Sequence, residues 1–465
     1  MEKERIFMSA NTSALNNKKH PPGLYLLFLT EMWERFSYYG MRAILILYLT
    51  TELVSGGLGI DSSVALSIYG FYTGAVYFTP IVGGWLADRY LGHRLSITIG
   101  GSLMALGNIA LFAHQSKTAL FIGLGLMIIG NGFFKPNIST LLGDLYKGNE
   151  SRRDAGFTIF YMGINLGAFF APLLIGFLSE DLFASTANGV MHYGFRYGFL
   201  ASAIGMIIGQ VLFNTLANKY LGDIGKRPAV AQIANTTGAK DKQPLTKAEK
   251  QRTMVILIIT CFVVFFWAGF EQAGSSLTLY TKDFVDREVF GWTVPISWFQ
   301  SLNPLFIVLL APAISALWIK LANSKRGDLP VPTKMGMGMI TLGLGYIVLL
   351  FAVFQTGNDA ATMAQKANMM FIIVTYLMHT LGELFLSPVG LSFVSRVAPV
   401  KLASLLMGVW LASSGVANIL AGQLAAVTQS LGYFEVFAVI GGLAIFFGLL
   451  LLALSKKLVA MMETK

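Results

Sequence analysis

The chain has 465 residues, 55% hydrophobic and only 12% charged, with a formal net charge of +10 and a mean hydropathy of +0.63. Soluble globular domains carry about 25% charged residues, so the composition excludes a soluble globule and indicates a polytopic membrane protein. The excess of Lys and Arg gathers in short loops on one side, which is the positive-inside bias rather than a nucleic-acid-binding surface.

Twelve predicted spans follow in chain order, each at least the ~20 residues a bilayer needs. They cover approximately residues 23–50, 63–87, 95–114, 118–144, 154–179, 193–218, 253–281, 295–320, 334–355, 369–395, 402–427 and 433–455. Residues 51–62 and 428–432 hold no Lys or Arg. The opposite side holds Arg89 and Arg94, then Lys147, Arg152 and Arg153, then Lys320, Lys325, Arg326 and Lys334. Lys18 and Lys19 in the 1–22 tail and Lys456 and Lys457 in the 456–465 tail join that side, so both termini are expected in the cytoplasm of a multi-pass inner (plasma) membrane protein. No cleavable signal peptide is expected, since residues 1–20 are polar and the first apolar run is long and charged inside. The polar, basic stretch 219–252 is read as a cytoplasmic linker between two six-helix halves, 23–218 and 253–455, with TKAEKQR leading into the seventh span. Cys261 is the single cysteine and lies in an apolar run, so an intrachain disulfide is excluded.

The first span carries four charges: Glu31, Glu34, Arg35 and Arg42. An ionised side chain at the centre of a spanning helix costs at least ~2.5–3.5 kcal/mol on insertion scales, so these must be paired or solvated inside the protein. At ~100° per residue they fall with Tyr38 on one stripe. Two carboxylates one turn apart beside an arginine suit proton work, because both cannot stay ionised cheaply in a low-dielectric site. A static buried network is the bland alternative, although buried ion pairs seldom stabilise a core by themselves. The seventh span carries Glu271, the fourth Lys135 beside Pro136, and the tenth Glu383 flanked by His379 and Ser387. His379 could relay protons or hydrogen-bond to a neighbouring helix. Tyr69 and Tyr72 read as packing.

Charges at matching helices of two six-helix halves are the plan of a major-facilitator transporter, an all-α membrane fold with its site near the midplane between the halves. GGWLADRYLGHR (83–94) resembles the loop motif of that superfamily through Gly84, Asp88, Arg89 and Arg94, where a carboxylate and arginines can form a cytoplasmic gate; an ordinary basic loop is the alternative. EMWERFSYYGMR (31–42) resembles the E-x-x-E-R-F motif of the proton-coupled oligopeptide transporter family, and FYMGINLGAFFAPLL (160–174) resembles its fifth-span signature. In that signature Gly163 and Gly167 form a small-xxx-small packing pair. Tyr161 and Asn165 share a face, and Asn165 could contact substrate or another helix. GNGFFKPNIST, FFWAGFEQAGSSLTLY, HTLGELFLSPVGLS and WFQSLNPLF extend the resemblance over essentially the whole chain.

The resemblance implies a proton-coupled symporter of di- and tripeptides, working by alternating access, without enzymatic activity, metal or cofactor, and functional as a monomer in the bilayer. It implies that the peptide carboxylate meets Arg42 and Lys135 and that the peptide amino group meets Glu383. Tyr38, Tyr39, Tyr77 and Asn165 would line the pocket, with Asn303 and Trp410 opposite and Trp267 and Ser387 beside the two glutamates. Glu31, Glu34, Arg35 and Glu271 would couple protons, while Arg42–Glu271 and Lys135–Glu383 would close the outer side. Residues 219–252 are too polar to hold the extra helix pair of many bacterial members, and the connection 356–368 is too short for the extracellular domain of the intestinal type. Carriers of nitrate, amino acids or peptide-like compounds share the fold, and a transporter-like sensor is the reading from another class. Nothing resembles a Walker A loop, a Ser/His/Asp arrangement or a metal-ligand cluster.

Overall fold

α1 starts with Pro22 in its first turn, where a missing N–H leaves no intrahelical bond unmade, and runs to Thr50. The computed structural model describes residues 20–147, 152–228, 245–324, 327–399 and 402–463. Most of the N-terminal tail, the centre of the 219–252 linker, and Lys325 and Arg326 lie outside the described residues. α2 (Ser62–Leu86) is capped by Asp61, whose carboxylate accepts from the Ser63 and Val64 N–H groups at 3.0 and 3.3 Å. A wide turn over Ala87–Leu91 then leads to α3 (His93–Ala113), followed by α4 (Lys117–Leu145), α5 (Arg153–Gly176) and α6 (Phe195–Leu221). The second set is α7 (Lys247–Phe270), α8 (Leu302–Ala322), α9 (Val331–Thr356), α10 (Met370–Val397), α11 (Ala403–Leu431) and α12 (Tyr433–Glu463).

Three spans differ most from their sequence reading, the twelfth by running on through Lys456 and Lys457 of the expected tail to Glu463. The seventh starts earlier than residue 253, because Thr246 and Glu249 in the TKAE run form a reciprocal capping box ahead of the apolar stretch. It is also broken: Glu271–Gly274 tightens into a 3₁₀ turn, and a short helix, Ser276–Phe284, completes the span. The eighth opens with a 3₁₀ turn over Ile296–Ser301 that runs straight into α8. Eleven of the spans among the described residues are long and apolar enough to cross a membrane. α1 is long enough at 29 residues, and its four charges set it apart.

Helix contacts repeat with an offset of six. In the first half α1 packs on α5 and α6, α4 on α2 and α3, and α3 on α6. In the second half α7 packs on α11 and α12, α10 on α8 and α9, and α9 on α12. Two contacts that join the halves, α2 with α11 and α5 with α8, obey the same offset. The chain is therefore two equivalent six-helix bundles facing one another, with the apolar side chains on their outer surfaces available to lipid. Small residues let the helices close. A Cβ on Gly167 would stand 2.4 Å from the Met32 carbonyl oxygen of α1, so α5 can lie against the charged helix only with glycine there.

Candidate substrate and coupling site

The four charges of α1 divide into two groups. Glu31, Glu34 and Arg35 are only 3%, 0% and 4% exposed, so their charges have left water. Arg35 takes Glu34 in a two-pronged contact: Nη2 donates to Oε1 at 2.8 Å and Nε donates to Oε2. Its Nε also lies 3.2 Å from Glu31 Oε1, the i,i+4 neighbour. Glu31 Oε2 has no hydrogen-bond partner among the described residues. One guanidinium thus faces two carboxylates, with Tyr38 and Tyr39 rings 5.3 and 6.0 Å from its carbon. This arrangement can hold one negative charge fully compensated and keep a second oxygen free for a proton.

Arg42, two turns further on along the same stripe, crosses to the second half. Its Nη2 pairs with Glu271 at the break of the seventh span, and its Nε donates to the Tyr69 hydroxyl of α2 at 2.7 Å. A Cβ on Gly274 would stand 1.9 Å from Tyr69 Oη and 3.2 Å from Arg42 Nη2. The glycine makes room for the three-way contact, and the 3₁₀ turn brings Glu271 to it.

Between the halves lies a cavity of about 190 Å³. Tyr39, Arg42, Tyr77 and Asn165 line it from the first half; Trp267, Glu271, Asn303 and Glu383 line it from the second. Glu383 Oε2 accepts from Asn303 Nδ2 at 2.7 Å, and the same amide donates to Thr380 Oγ1 at 3.1 Å. The Lys135 ammonium sits 4.5 Å from the Tyr77 ring centroid, just behind the cavity wall. The lining combines a cation, two carboxylates, amides and aromatic faces, which can orient a small ligand bearing both charges without demanding one side chain.

Residues 94–220 and 215–441 match the sequence family described as PTR2, POT family. The chain belongs to the POT family. Its relatives include the peptide transporter YePEPT of Yersinia enterocolitica, 33% identical with 87% of each chain covered, and the uncharacterized transporter YclF of Bacillus subtilis, 36% identical over 94% of each. The di-/tripeptide transporter of Lactococcus lactis is 30% identical over 95% of this chain and 96% of its own. A crystal structure of a peptide transporter POT in complex with alafosfalin superposes with a TM-score of 0.85 at 34% identity, covering 96% of this chain and 97% of that one. A second POT family transporter, in complex with a thioalcohol-conjugated peptide, reaches 0.84 at 32% identity, over 95% and 98% of the two chains.

Against this POT frame the remaining predicted residues take definite places. The pairing of Lys135 with Glu383 is not made: no carboxylate lies within 4.0 Å of the ammonium among the described residues, and Glu383 is held by Asn303 instead. Tyr38 is buried against Tyr39 and Tyr72, outside the cavity lining. Ser387 lies one turn beyond Glu383 on α10 and is not part of the lining. Trp410 of α11 packs over Gly390 of α10, beneath the wall. In the loop motif, Asp88 and Arg89 do not pair: Asp88 lies 3.8 Å from His93, and Arg89 stays with Trp85 and Tyr90. Arg94 gives the motif its firmest contact, donating to the Gly222 and Ile224 carbonyls at 2.8 and 2.7 Å and to Asn218 at 3.2 Å, so it caps the end of α6. Gly84 stands clear of Pro136, where a Cβ would meet ordinary contact at 3.5 Å.

The sequence reading passed over several groups of the site. Tyr69, taken as packing, is a partner of Arg42. Gln300, Tyr376 and Thr380 line the cavity alongside Tyr161 and His379. Thr380 could have been found from its i,i+3 spacing to Glu383. Gln300 sits in an irregular turn and gives no periodic signal.

Proposed function

We propose that this POT member is a proton-coupled symporter that imports di- and tripeptides across the plasma membrane, with both termini in the cytoplasm and a single chain as the working unit. One observation carries the reading: Arg42 of one half and Glu383 of the other line the same aromatic-walled cavity. A zwitterionic peptide fits between them, carboxylate toward Arg42 and the Lys135 side, amino group toward Glu383 and Asn303. Tyr39, Tyr77 and Trp267 supply faces that tolerate varied side chains.

The contacts between halves support a state closed on the outer side. The α5–α8 contact involves Phe169–Gly176 and Ser297–Ser301, toward the outer end of both helices. α2 meets α11 at Gly70 and Gly422, and Arg42 bridges to Glu271 in the same half of the membrane. At the inner rim Tyr161 is 48% exposed and Lys135 stands apart from Glu383. Protonation at Glu271 would release Arg42, and peptide would compete for Lys135 and Glu383, and both would bias the two halves toward the other arrangement. Glu31 and Glu34 share Arg35 and supply a second proton-sensitive group.

Uptake of labelled dialanine into liposomes, with and without an inward proton gradient, tests this. The wild type accumulates peptide under the gradient. Glu34→Gln loses accumulation but retains exchange between peptide pools, and Glu383→Gln loses both. A wild type that accumulates no dipeptide under any gradient removes the peptide assignment.

A further inference from the structure

The outer end of α5 carries a carboxylate that none of the roles above uses. Glu180 lies in the wide turn Phe177–Leu182 that ends the fifth span. It reaches across the halves and accepts from two backbone N–H groups at the start of the eighth span, Ile296 at 2.6 Å and Ser297 at 3.0 Å. These are the orphan donors of a helix that continues to Ala322, so a negative charge there meets both the free N–H groups and the positive end of the helix dipole. Three side-chain bonds flank it: Trp298 Nε1 donates to the Leu173 carbonyl at 2.9 Å and Ser301 Oγ to the Phe169 carbonyl at 2.8 Å, both neutral, while Trp292 Nε1 donates to a second carboxylate, Asp181 Oδ2, at 3.0 Å.

We propose that Glu180 is an additional gating residue of the transport cycle: ionised, it clasps the start of α8 to α5 and keeps the outer side shut, and a proton arriving from outside loosens the clasp. The proposal rests on the alternating-access reading above. A carboxylate is acceptor-only and binds N–H groups by charge-assisted bonds about twice as strong as neutral ones. Protonation removes the charge and turns one oxygen into a donor facing donors. The groups that bear on Glu180 are Arg287, in the segment ahead of the eighth span, and the Tyr193 phenol, in the hairpin connection after the fifth. Asp283 and Asp286 bear in turn on Arg287. Arg287 Nη1 is spent on the Val294 carbonyl at 2.5 Å, and its Nε has no partner among the described residues. No ion pair within 4.0 Å locks Glu180 among the described residues, so its contacts to the start of the eighth span are with the Ile296 and Ser297 N–H groups and the Ser297 side chain, and respond to its own charge. The device differs in position from the Arg42–Glu271 bridge, since it sits at the outer rim where external protons arrive first.

The test reads access, not transport, so it stands or falls separately from the substrate assignment. In a Cys261→Ser background, Ala168→Cys places a thiol in the cavity lining, and Asn188→Cys places a reference thiol on the exposed hairpin. A membrane-impermeant maleimide is added from the outer side, and the rate at position 168 is divided by that at 188 to cancel thiol titration. Expected for the wild type is a low ratio at pH 7.5 that rises at pH 5.5. In Glu180→Gln the ratio is already raised about tenfold at pH 7.5, a factor equivalent to ~1.4 kcal/mol, and rises less with acid than the wild type, by what the Arg42–Glu271 bridge alone contributes. Trp298→Phe, which loosens the same interface without touching the charge, raises the ratio but keeps the acid response. The proposal is overturned by a wild type without acid response, by Glu180→Gln labelling like wild type at pH 7.5, or by Glu180→Gln keeping the wild-type rise.

Discussion

Replacing Tyr69 with Phe removes one oxygen and leaves the ring, so the perturbation is confined to a hydrogen bond. The ring is 2% exposed and its hydroxyl accepts from Arg42 Nε at 2.7 Å. In the variant that guanidinium N–H loses its acceptor on the α2 side and faces a phenyl ring and Gly274. Hydrogen bonds to charged groups contribute about 1.5–3 kcal/mol net. Arg42 keeps Glu271, so the lower figure applies, and the outer-closed arrangement loses about a factor of ten against its alternatives. If the outer-open arrangement makes up ~1% of the wild type, within the range usual for minor states, it becomes about a tenth of the variant. Spin labels on Val54→Cys and Ala360→Cys, both on exposed outer loops of opposite halves, read this in a Cys261→Ser background. The wild type gives one short distance; Tyr69→Phe adds a longer component of roughly a tenth of the signal. An unchanged distance distribution would refute the argument that Arg42 is held by two partners.

Asn303→Ala strips Glu383 of its 2.7 Å donor while leaving the carboxylate in the cavity. Half-saturation for dialanine exchange should move by about tenfold or more, the worth of one charged hydrogen bond, and an unchanged value would take Asn303 out of the amino-end contact. Arg94→Ala removes three donated bonds from the end of α6 without touching the cavity. Thermal unfolding in detergent should shift down by the equivalent of about 2–3 kcal/mol with substrate affinity retained; a loss of affinity at unchanged stability would contradict the capping role. Gly167→Leu drives a side chain toward the Met32 carbonyl and should abolish folded, monodisperse protein, whereas Gly442→Leu, where a Cβ meets nothing within 4 Å, should not.

Periodicity and charge made much of this molecule legible before its coordinates. Charges inside an apolar run are so costly that Glu31, Glu34, Arg35, Arg42, Glu271, Lys135 and Glu383 pointed to an internal site; Glu31, Glu34 and Arg35 are buried in α1, and Arg42, Glu271 and Glu383 line the cavity. The Gly163/Gly167 spacing announced a close helix contact, which α1 and α5 make. What escaped follows from the same physics. Tyr69 was hidden because a tyrosine on an apolar helix looks the same whether its hydroxyl is idle or receives Arg42 from 27 residues away. The break at Glu271 was hidden because hydropathy continues through it: Gly274 is chosen by a neighbour's hydroxyl, not by its own helix. The Lys135–Glu383 separation was beyond sequence because the two residues read the same whether they meet or, as here, Lys135 lies over Tyr77 and Glu383 is held by Asn303.

Glu34 and Arg35 are consecutive residues, and Glu31 is one turn before them on the same helix. Their mutual attraction is therefore unaltered when α1 swings as a rigid rod, and rotation of the bundle does no electrical work against it. Arg42, on that same rod, holds an anion that belongs to the other bundle, so every swing must pull those two charges apart. The helix is thus a lever with a ballast at one end and a brake at the other. Substitutions at the ballast alter what the lever carries, and substitutions at the brake alter how fast it turns.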